Sequence, residues 1–247
     1  MQNPYETDRL VADYLFFHYV PHPEGSEGLP LPENAWNFAT RLVSELFDRS
    51  HPAQRALDLG CAVGRSSFEL SRMITDVLGI DFSRAFIEAA ETMRTLKSIE
   101  ATVPAEGLRQ RPFTARLPDG IDPTRTRFQT EDAMDLPADL GSFDVVLAAN
   151  LLCRLPQPSR LLKRLPDLVA PGGQLLLATP FSWLEEFTPR KNWLGGLQES
   201  APSFEILTSH LAPHFKLEHS TNLPFLIREH SRKYQYGISL GTRWRRH

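Results

Sequence analysis

The chain has 247 residues, with 27 basic and 30 acidic side chains giving a net charge of −3. Hydrophobic residues at 41% and charged residues at 23% are ordinary for a globular protein and exclude disorder as the main state. The acidic balance disfavours a general nucleic-acid binder, and two cysteines, Cys61 and Cys153, exclude a disulfide scaffold and a four-thiolate zinc site. No apolar run approaches the roughly 20 residues of a membrane helix. The polar start MQNPYETDR does not read as a signal peptide, so a soluble, cytoplasmic, single-domain protein is expected over 1–247.

Residues 8–19, DRLVADYLFFHY, are expected to be helical, because Leu10, Val11, Tyr14, Leu15 and His18 recur along one face. Thr7 or Asp8 would cap this helix. PHPEGSEGLPLPEN breaks the pattern with prolines and glycines. A second helix is expected from about Ala35 to Phe47, burying Trp36, Thr40, Val43 and Phe47. These two helices make up an N-terminal cap over residues 1–50. From Arg55 the rhythm becomes strand, helix, strand, helix: ALDLG, GRSSFELSRMI, DVLGIDF and SRAFIEAAETMRTLK, the last capped by Ser83. That order implies a parallel sheet covered on both faces.

Residues 98–127 interrupt the rhythm and read as an insertion, with a hairpin within it. TRFQTED, the apolar SFDVVLAAN, the helix PSRLLKRLPDLVA, a PGG turn and the strand QLLLATP then follow. This places the cofactor-binding core at 53–180. Residues 181–200 are aromatic and charged with paired glycines, as suits a lid or substrate wall after a strand. A short helix over 202–214 and two strands, FKLEHSTNLPFLI and KYQYGISLGTRW, complete an antiparallel ending, so that 181–247 forms the lid and final strands. The fold class expected is α/β, a mixed sheet with helices on both faces and an antiparallel ending.

The strongest local signal is Asp58-Leu59-Gly60-Cys61-Ala62-Val63-Gly64-Arg65 between a strand and a helix. Glycines let the backbone turn tightly, and a helix N-terminus offers free amides to a carboxylate or phosphate. A dinucleotide fingerprint G-x-G-x-x-G fails here at Ala62 and at Arg65. Asp58, two positions before the first glycine, suits an ammonium, while the loop suits a carboxylate. An amino-acid end such as that of S-adenosylmethionine carries both. Asp81, 23 residues after Asp58, fits the acid that accepts ribose hydroxyls. Asp132 suits an adenine amino group, with Ala133 and Met134 beside the ring and Asp135 as a neighbouring alternative.

Together, Asp58-x-Gly60-x-x-x-Gly64, Asp81, Glu131-Asp132-Ala133, Phe143-Asp144-Val145-Val146 and Pro171-Gly172-Gly173 resemble class I adenosylmethionine-dependent methyltransferases over about residues 53–180, and the resemblance implies a Rossmann-like, seven-stranded mixed sheet with helices on both faces and an antiparallel last strand. The ends resemble a narrower family, the 5-thiohistidine (4-mercaptohistidine) N-methyltransferases of the ovothiol pathway. Its carriers are Asn3-Pro4-Tyr5-Glu6-Thr7-Asp8, Tyr14-Leu15-Phe16-Phe17-His18-Tyr19, the run from Ser182-Trp183-Leu184 to Asn192-Trp193-Leu194-Gly195-Gly196, and Arg228-Glu229-His230-Ser231-Arg232-Lys233-Tyr234. The resemblance implies S-adenosylmethionine as cofactor, S-adenosylhomocysteine as product, and methylation of the imidazole π-nitrogen of 5-thiohistidine, the last step of ovothiol A biosynthesis. In that pathway the domain is often fused behind a sulfoxide synthase, so the chain would be either a stand-alone form that works with a separate synthase or an excised domain.

The cofactor set is then Asp58, Gly60, Cys61, Ala62, Gly64, Asp81, Phe82, Asp132, Ala133, Asn150 and Leu151. His18, Tyr19 and Tyr234 are the candidates to take a proton, with water as an alternative. Phe17, Trp183, Arg228 and Glu229 are the candidates to hold the amino-acid acceptor. Cys61 and Cys153 read as small packing residues, and His210 with His214, separated by Pro213, do not make a metal site. A nucleic-acid amino methyltransferase would show a D/N-P-P-Y/F/W motif where this chain has Ala149-Asn150-Leu151-Leu152, so no nucleic-acid, membrane or metal partner is expected. A methyltransferase for another small molecule, or a non-catalytic adenosylmethionine-binding protein, would carry the same cofactor motifs.

Overall fold

A computed structural model describes residues 4–21 and 29–247. Asn3 and residues 22–28 of the proline-rich stretch lie outside the described residues. The first helix, α1 (Asp8–Tyr19), starts where Thr7 Oγ1 accepts from the Leu10 amide at 3.3 Å. It buries more of its surface than a single stripe would. Leu15 and Tyr19 face the main body, while Ala12 and Phe16 pack against Val103 of the inserted hairpin. The second helix, α2, begins at Phe38 rather than near Ala35 and ends at Leu46. Asn37, at φ 55°, stops a short 3-10 turn (Glu33–Ala35) from running on into it. The buried face is therefore Phe38, Ala39, Leu42, Val43 and Leu46, and Trp36 and Thr40 are left only partly covered.

The alternating region folds as β1 (Arg55–Leu59), α3 (Arg65–Leu70), β2 (Asp76–Asp81) and α4 (Arg84–Leu96). Ser83 caps α4 by accepting from the Phe86 amide at 3.1 Å. The insertion is an antiparallel hairpin, β3 (Ser98–Glu106) with β4 (Arg109–Arg116), outside the main sheet. Then come β5 (Thr126–Thr130), β6 (Phe143–Ala149), α5 (Pro158–Leu168), β7 (Val169–Thr179), α6 (Ser203–Leu211), β8 (Phe215–His230) and β9 (Lys233–Arg246). The seven-stranded order is β5-β2-β1-β6-β7-β9-β8. The strands from β5 to β7 run parallel, and β9 and β8 pair antiparallel. The sequence reverses direction across the sheet between β1 and β6, which is where ligands enter open α/β sheets.

Pro171-Gly172-Gly173 does not form a free turn. It is a bulge within β7, where pairing jumps from Phe143–Val169 to Val145–Gln174. A Cβ on Gly173 would sit 2.8 Å from the Ala170 carbonyl oxygen. The strand β8 is longer than its apolar run, because its outer half leaves the sheet's main body and reaches β3. Arg228 Nη1 donates there to the Pro104 carbonyl at 2.7 Å, and the Ser231 amide donates to that of Ala105 at 3.2 Å. Asp144 accepts from the Gln54 and Arg55 amides at 2.7 and 2.9 Å and so fixes the start of β1.

Gly79 in β2 lies under the cofactor end of the sheet. A Cβ there would meet Phe128 at 2.5 Å and Cys61 Sγ at 3.0 Å. Gly79→Val is expected to lower stability by about 1–3 kcal/mol through overpacking. Thermal unfolding checks this, and an unchanged melting temperature would contradict the packing described.

Candidate active site

The loop after β1 is drawn toward β2 by backbone bonds. The Gly60 and Cys61 amides donate to the Ile80 carbonyl at 2.8 and 3.0 Å, and the Gly64 amide donates to Cys61 at 2.9 Å. Gly60 and Gly64 adopt φ 71° and 82°, a region that favours glycine. Contacts add a second reason: a Cβ on Gly64 would lie 2.8 Å from the Phe128 ring, and one on Gly60 3.0 Å from Leu151 Cδ1. Ala62 is left-handed too, at φ 47°. Its amide donates to Asp81 Oδ2 at 2.9 Å, which compensates for that strain. Cys61 is buried, packs toward Gly79, and has its thiol pKa pushed well up by burial, so it is no nucleophile.

Asp81 connects three parts of the site. Besides Ala62, its Oδ1 accepts from the Ser83 amide at 2.9 Å, and its backbone carbonyl accepts from the Glu131 amide at 3.1 Å. Burial raises its pKa, against the pull of the backbone donors. Asp58 is fully enclosed beneath the loop, and Ser67 Oγ donates to its Oδ2 at 2.6 Å. Burial pushes the Asp58 pKa up to about 7, opposed by Ser67 and reinforced by the charge of Asp81. Phe82 next to Asp81 is 62% exposed, an unusual position for a phenylalanine and a ready face for a planar ring. Asp132 Oδ1 accepts from the Met134 amide at 2.8 Å, leaving its other oxygen free of that turn. Ala133 is buried against the main core.

Asn150 stands at φ 52° after β6. Its amide donates to Ala178 and its Oδ1 accepts from Ser239 Oγ, both at 2.7 Å, so β7 and β9 hold it. Leu151 presses on Gly60. The structure thus brings together Asp58, Gly60, Cys61, Ala62, Gly64, Asp81, Phe82, Asp132, Asn150 and Leu151 at the carboxyl ends of β1, β2, β5 and β6.

The other expected site residues fall into separate surroundings. The Tyr19 hydroxyl donates to the Val63 carbonyl at 2.8 Å, and burial pushes its pKa well up. Arg65 lies over the Tyr19 ring, donates to Thr40 Oγ1 at 2.9 Å and pairs with Glu69. His18 packs against Tyr14 and Phe17, at centroid distances of 5.7 and 5.2 Å. Burial, with Arg65 nearby, lowers the His18 pKa to about 3. Phe17 stacks on Phe38 and, with Arg228, lines a narrow cleft that also includes Trp36 and Leu226. Arg228 is buried; Phe16 lies beneath its guanidinium, and Ser231 Oγ accepts from its Nη2 at 3.1 Å. Tyr234 stands opposite Arg228 in the β8–β9 ladder and meets the Trp36 ring edge-on. Glu229 pairs with Lys233 at 2.6 Å. Trp183 donates to Ser203 Oγ at 2.9 Å and stacks on Trp193, which donates to the Thr188 carbonyl at 2.7 Å.

Three residues without an assigned role in the sequence stand at the pocket. Tyr5 stacks on Phe187, and its carbonyl accepts from Ser83 Oγ at 2.8 Å. Tyr14 lies 4.6 Å from the Phe86 ring. Arg154 lies over Phe187, bonds to Tyr5, and donates to the Ser182 carbonyl at 3.2 Å. Tyr5 and Tyr14 fall within the segments that resemble the 5-thiohistidine methyltransferases; Arg154 has no sequence signal of its own.

These residues fit S-adenosylmethionine. The loop offers a cradle that Cβ atoms would obstruct, Asp58 beneath it would face the ammonium, Asp81 would use its remaining lone pairs for the ribose hydroxyls, and Phe82 and Asp132 would meet the adenine. Among the described residues no group of three His, Cys, Asp or Glu side chains is placed to hold a metal, and no helix is long and apolar enough to cross a membrane. Asp81→Asn is expected to weaken adenosylmethionine binding by about 1–3 kcal/mol, read by calorimetry on the folded variant; unchanged affinity would contradict the ribose assignment. Asp58 must lose its proton to face an ammonium. Affinity is therefore expected to fall as pH drops from about 8 to about 6, with proton release on binding. Calorimetry in buffers of different ionisation enthalpy checks this, and a buffer-independent enthalpy at neutral pH would contradict it.

A family model described as a methyltransferase domain matches residues 33–231. Methyltransferase GfsG of Streptomyces halstedii is 26% identical over 172 residues, covering 68% of this chain and 51% of that protein. The chain spans about half the length of the curated relatives it matches. The N-methyltransferase NodS of Bradyrhizobium japonicum, solved with S-adenosylhomocysteine, superposes with a TM-score of 0.52 at 15% identity, covering 96% of this chain and 98% of its own. The [4+2]-cyclase SpnF superposes at 0.57 and 14% identity, covering 98% and 94%. These structural likenesses establish the fold alone. With the family match over most of its length, the chain belongs to the methyltransferase-domain family, with the class I seven-stranded fold and a pocket built for S-adenosylmethionine.

Proposed function

We propose that this methyltransferase acts on a small amino-acid acceptor and methylates the imidazole π-nitrogen of 5-thiohistidine, the closing step of ovothiol A formation. One observation carries the reading. Three of the four segments that resemble the 5-thiohistidine methyltransferases, two near the N-terminus and one after β7, meet beside Ser83, two positions after Asp81. Tyr5 from the first, Tyr14 from the second and Phe187 from the third surround one another there, with Tyr5 at 6.2 Å from both other rings.

When bound, S-adenosylmethionine supplies a methyl group on a sulfonium, already electrophilic without acid catalysis. The chain's own work is to align a nitrogen lone pair with that methyl and keep water out. The loop from Gly60 to Gly64, with Asp58, Asp81, Phe82 and Asp132, holds the cofactor. The walls come from α1, Arg154 and the segment after β7. Of the three proton-handling candidates, Tyr19 is committed to Val63, Tyr234 stands opposite Arg228 at the outer end of the β8–β9 arm, and burial leaves His18, with a pKa of about 3, too weakly basic to hold a proton, so water is the acceptor. Arg228 and Glu229 would contribute through the wall they build with β3 and β9, and Trp183 through the base of the segment after β7. A sulfoxide synthase of the same pathway, fused to this chain or separate from it, would act upstream of the acceptor's formation.

Purified protein incubated with S-adenosylmethionine and either 5-thiohistidine or histidine tests this by mass spectrometry. One added methyl, located on the ring of 5-thiohistidine by fragmentation, is expected, with little or no product from histidine. No product from 5-thiohistidine, with cofactor binding demonstrated, would contradict the substrate assignment and favour another small acceptor or a binding role.

A further inference from the structure

We propose that Tyr14 and His18, one turn apart on α1, are the hydrogen-bonding pair that positions the acceptor's heteroaromatic ring at the cofactor pocket. The inference rests on the reading of the site as an imidazole methyltransferase and names the residues that hold the ring. Positions four apart share one helix face, and here the two rings lie 5.7 Å apart at 34°.

The other polar side chains of this part of α1 have defined structural work. Thr7 caps the helix, Arg9 pairs with Asp13 at 2.7 Å, and Tyr19 donates to Val63. Two polar groups are left over. His18 Nδ1 is fully buried and has no hydrogen-bond partner among the described residues. The Tyr14 hydroxyl makes no hydrogen bond among the described residues, and its ring is held by Tyr5 and Phe86. Buried polar groups are nearly always paired, so the orphaned His18 ring nitrogen calls for a partner, and the half-buried Tyr14 hydroxyl on the same helix face keeps its bonding capacity unused.

Their surroundings identify where that partner sits. The Tyr14 ring meets that of Tyr5, whose carbonyl accepts from Ser83 Oγ, two positions after Asp81. His18 precedes Tyr19, which donates to the Val63 carbonyl in the glycine loop. The pair therefore lies between the end of β2 and the glycine loop. Both groups are uncharged at neutral pH. Burial raises the Tyr14 pKa and lowers that of His18 to about 3, and Glu69 offsets the charge of Arg65.

A neutral donor and a neutral imidazole inside an aromatic wall of Tyr5, Tyr14, Phe17 and Phe86 suit an uncharged azole ring. They do not suit a carboxylate or an ammonium, whose burial would need an opposite charge. His18 on this reading positions the ring and does not act as the base, since so weakly basic a group takes up little proton.

Steady-state kinetics with 5-thiohistidine test the pair through Tyr14→Phe, His18→Leu and His18→Asn. Tyr14→Phe and His18→Leu are each expected to raise the acceptor KM by about tenfold or more, while kcat stays within about threefold. Asparagine, which restores a polar atom near the Nδ1 position, is expected to recover most of the loss. S-adenosylhomocysteine affinity within about twofold of the parent shows that a variant still has an intact cofactor site; if His18→Leu fails that check, Tyr14→Phe and His18→Asn carry the test. An unchanged acceptor KM in Tyr14→Phe, or a His18 variant that loses kcat with KM unchanged, would overturn the inference and leave the substrate assignment standing. No product from the parent protein would overturn both.

Discussion

The site depends above all on one carboxylate, that of Asp81. It accepts from Ala62 in the glycine loop and from Ser83 at the start of α4, while its backbone carbonyl holds Glu131 at the exit of β5. Three loops that must surround one ligand are therefore positioned from one residue. The left-handed Ala62 is affordable only because its amide has this partner. The same bonds leave Asp81 buried yet with lone pairs still available, which suits a group that must accept from two ribose hydroxyls. Asp58, in turn, is held by Ser67 and feels the charge of Asp81, so the two acids titrate as neighbours rather than alone.

The walls around this base have a different origin. They come from α1, from the turn after β6 and from the segment after β7, and they are joined by aromatic contacts and by Arg154 rather than by a sheet. The inserted hairpin and the long β8–β9 arm grip α1 from its second side: Phe113 meets the Phe16 ring at 5.1 Å, and Arg228 lies over that same ring. A helix buried on two sides is held firmly enough to present unpaired polar groups to a pocket. That is a cost which an isolated amphipathic helix would avoid by turning them to water.

The legible parts of this architecture in the sequence are the local ones. Alternating apolar strands and helices, the glycine loop and the acids at strand ends follow from periodicity and spacing, and the seven-stranded sheet with its antiparallel ending follows from the family resemblance. Cap residues Thr7 and Ser83 were equally readable, since capping is decided within one turn. What depended on distant contacts was not. The second buried face of α1 exists only because the hairpin covers it. Pro171-Gly172-Gly173 suggests a turn, yet pairing with β6 makes it a bulge. Asn37 resets the start of α2, which no apolar pattern announces. The two poles of the candidate set also differ in this way. The cofactor residues converge as their spacing implied, whereas Tyr14 and Arg154 became visible only through the groups they face, and Arg228 through the Pro104 carbonyl that it satisfies from 124 positions away.

The most direct measurement is a crystal structure of the protein with S-adenosylhomocysteine and 5-thiohistidine. The ribose hydroxyls are predicted on Asp81, the amino-acid end over the Gly60–Gly64 loop, and the imidazole against the α1 face that carries Tyr14 and His18, with its π-nitrogen directed at the sulfur. An imidazole bound elsewhere, or turned so that the π-nitrogen points away from the sulfur, would contradict the assignment of both cofactor and acceptor geometry.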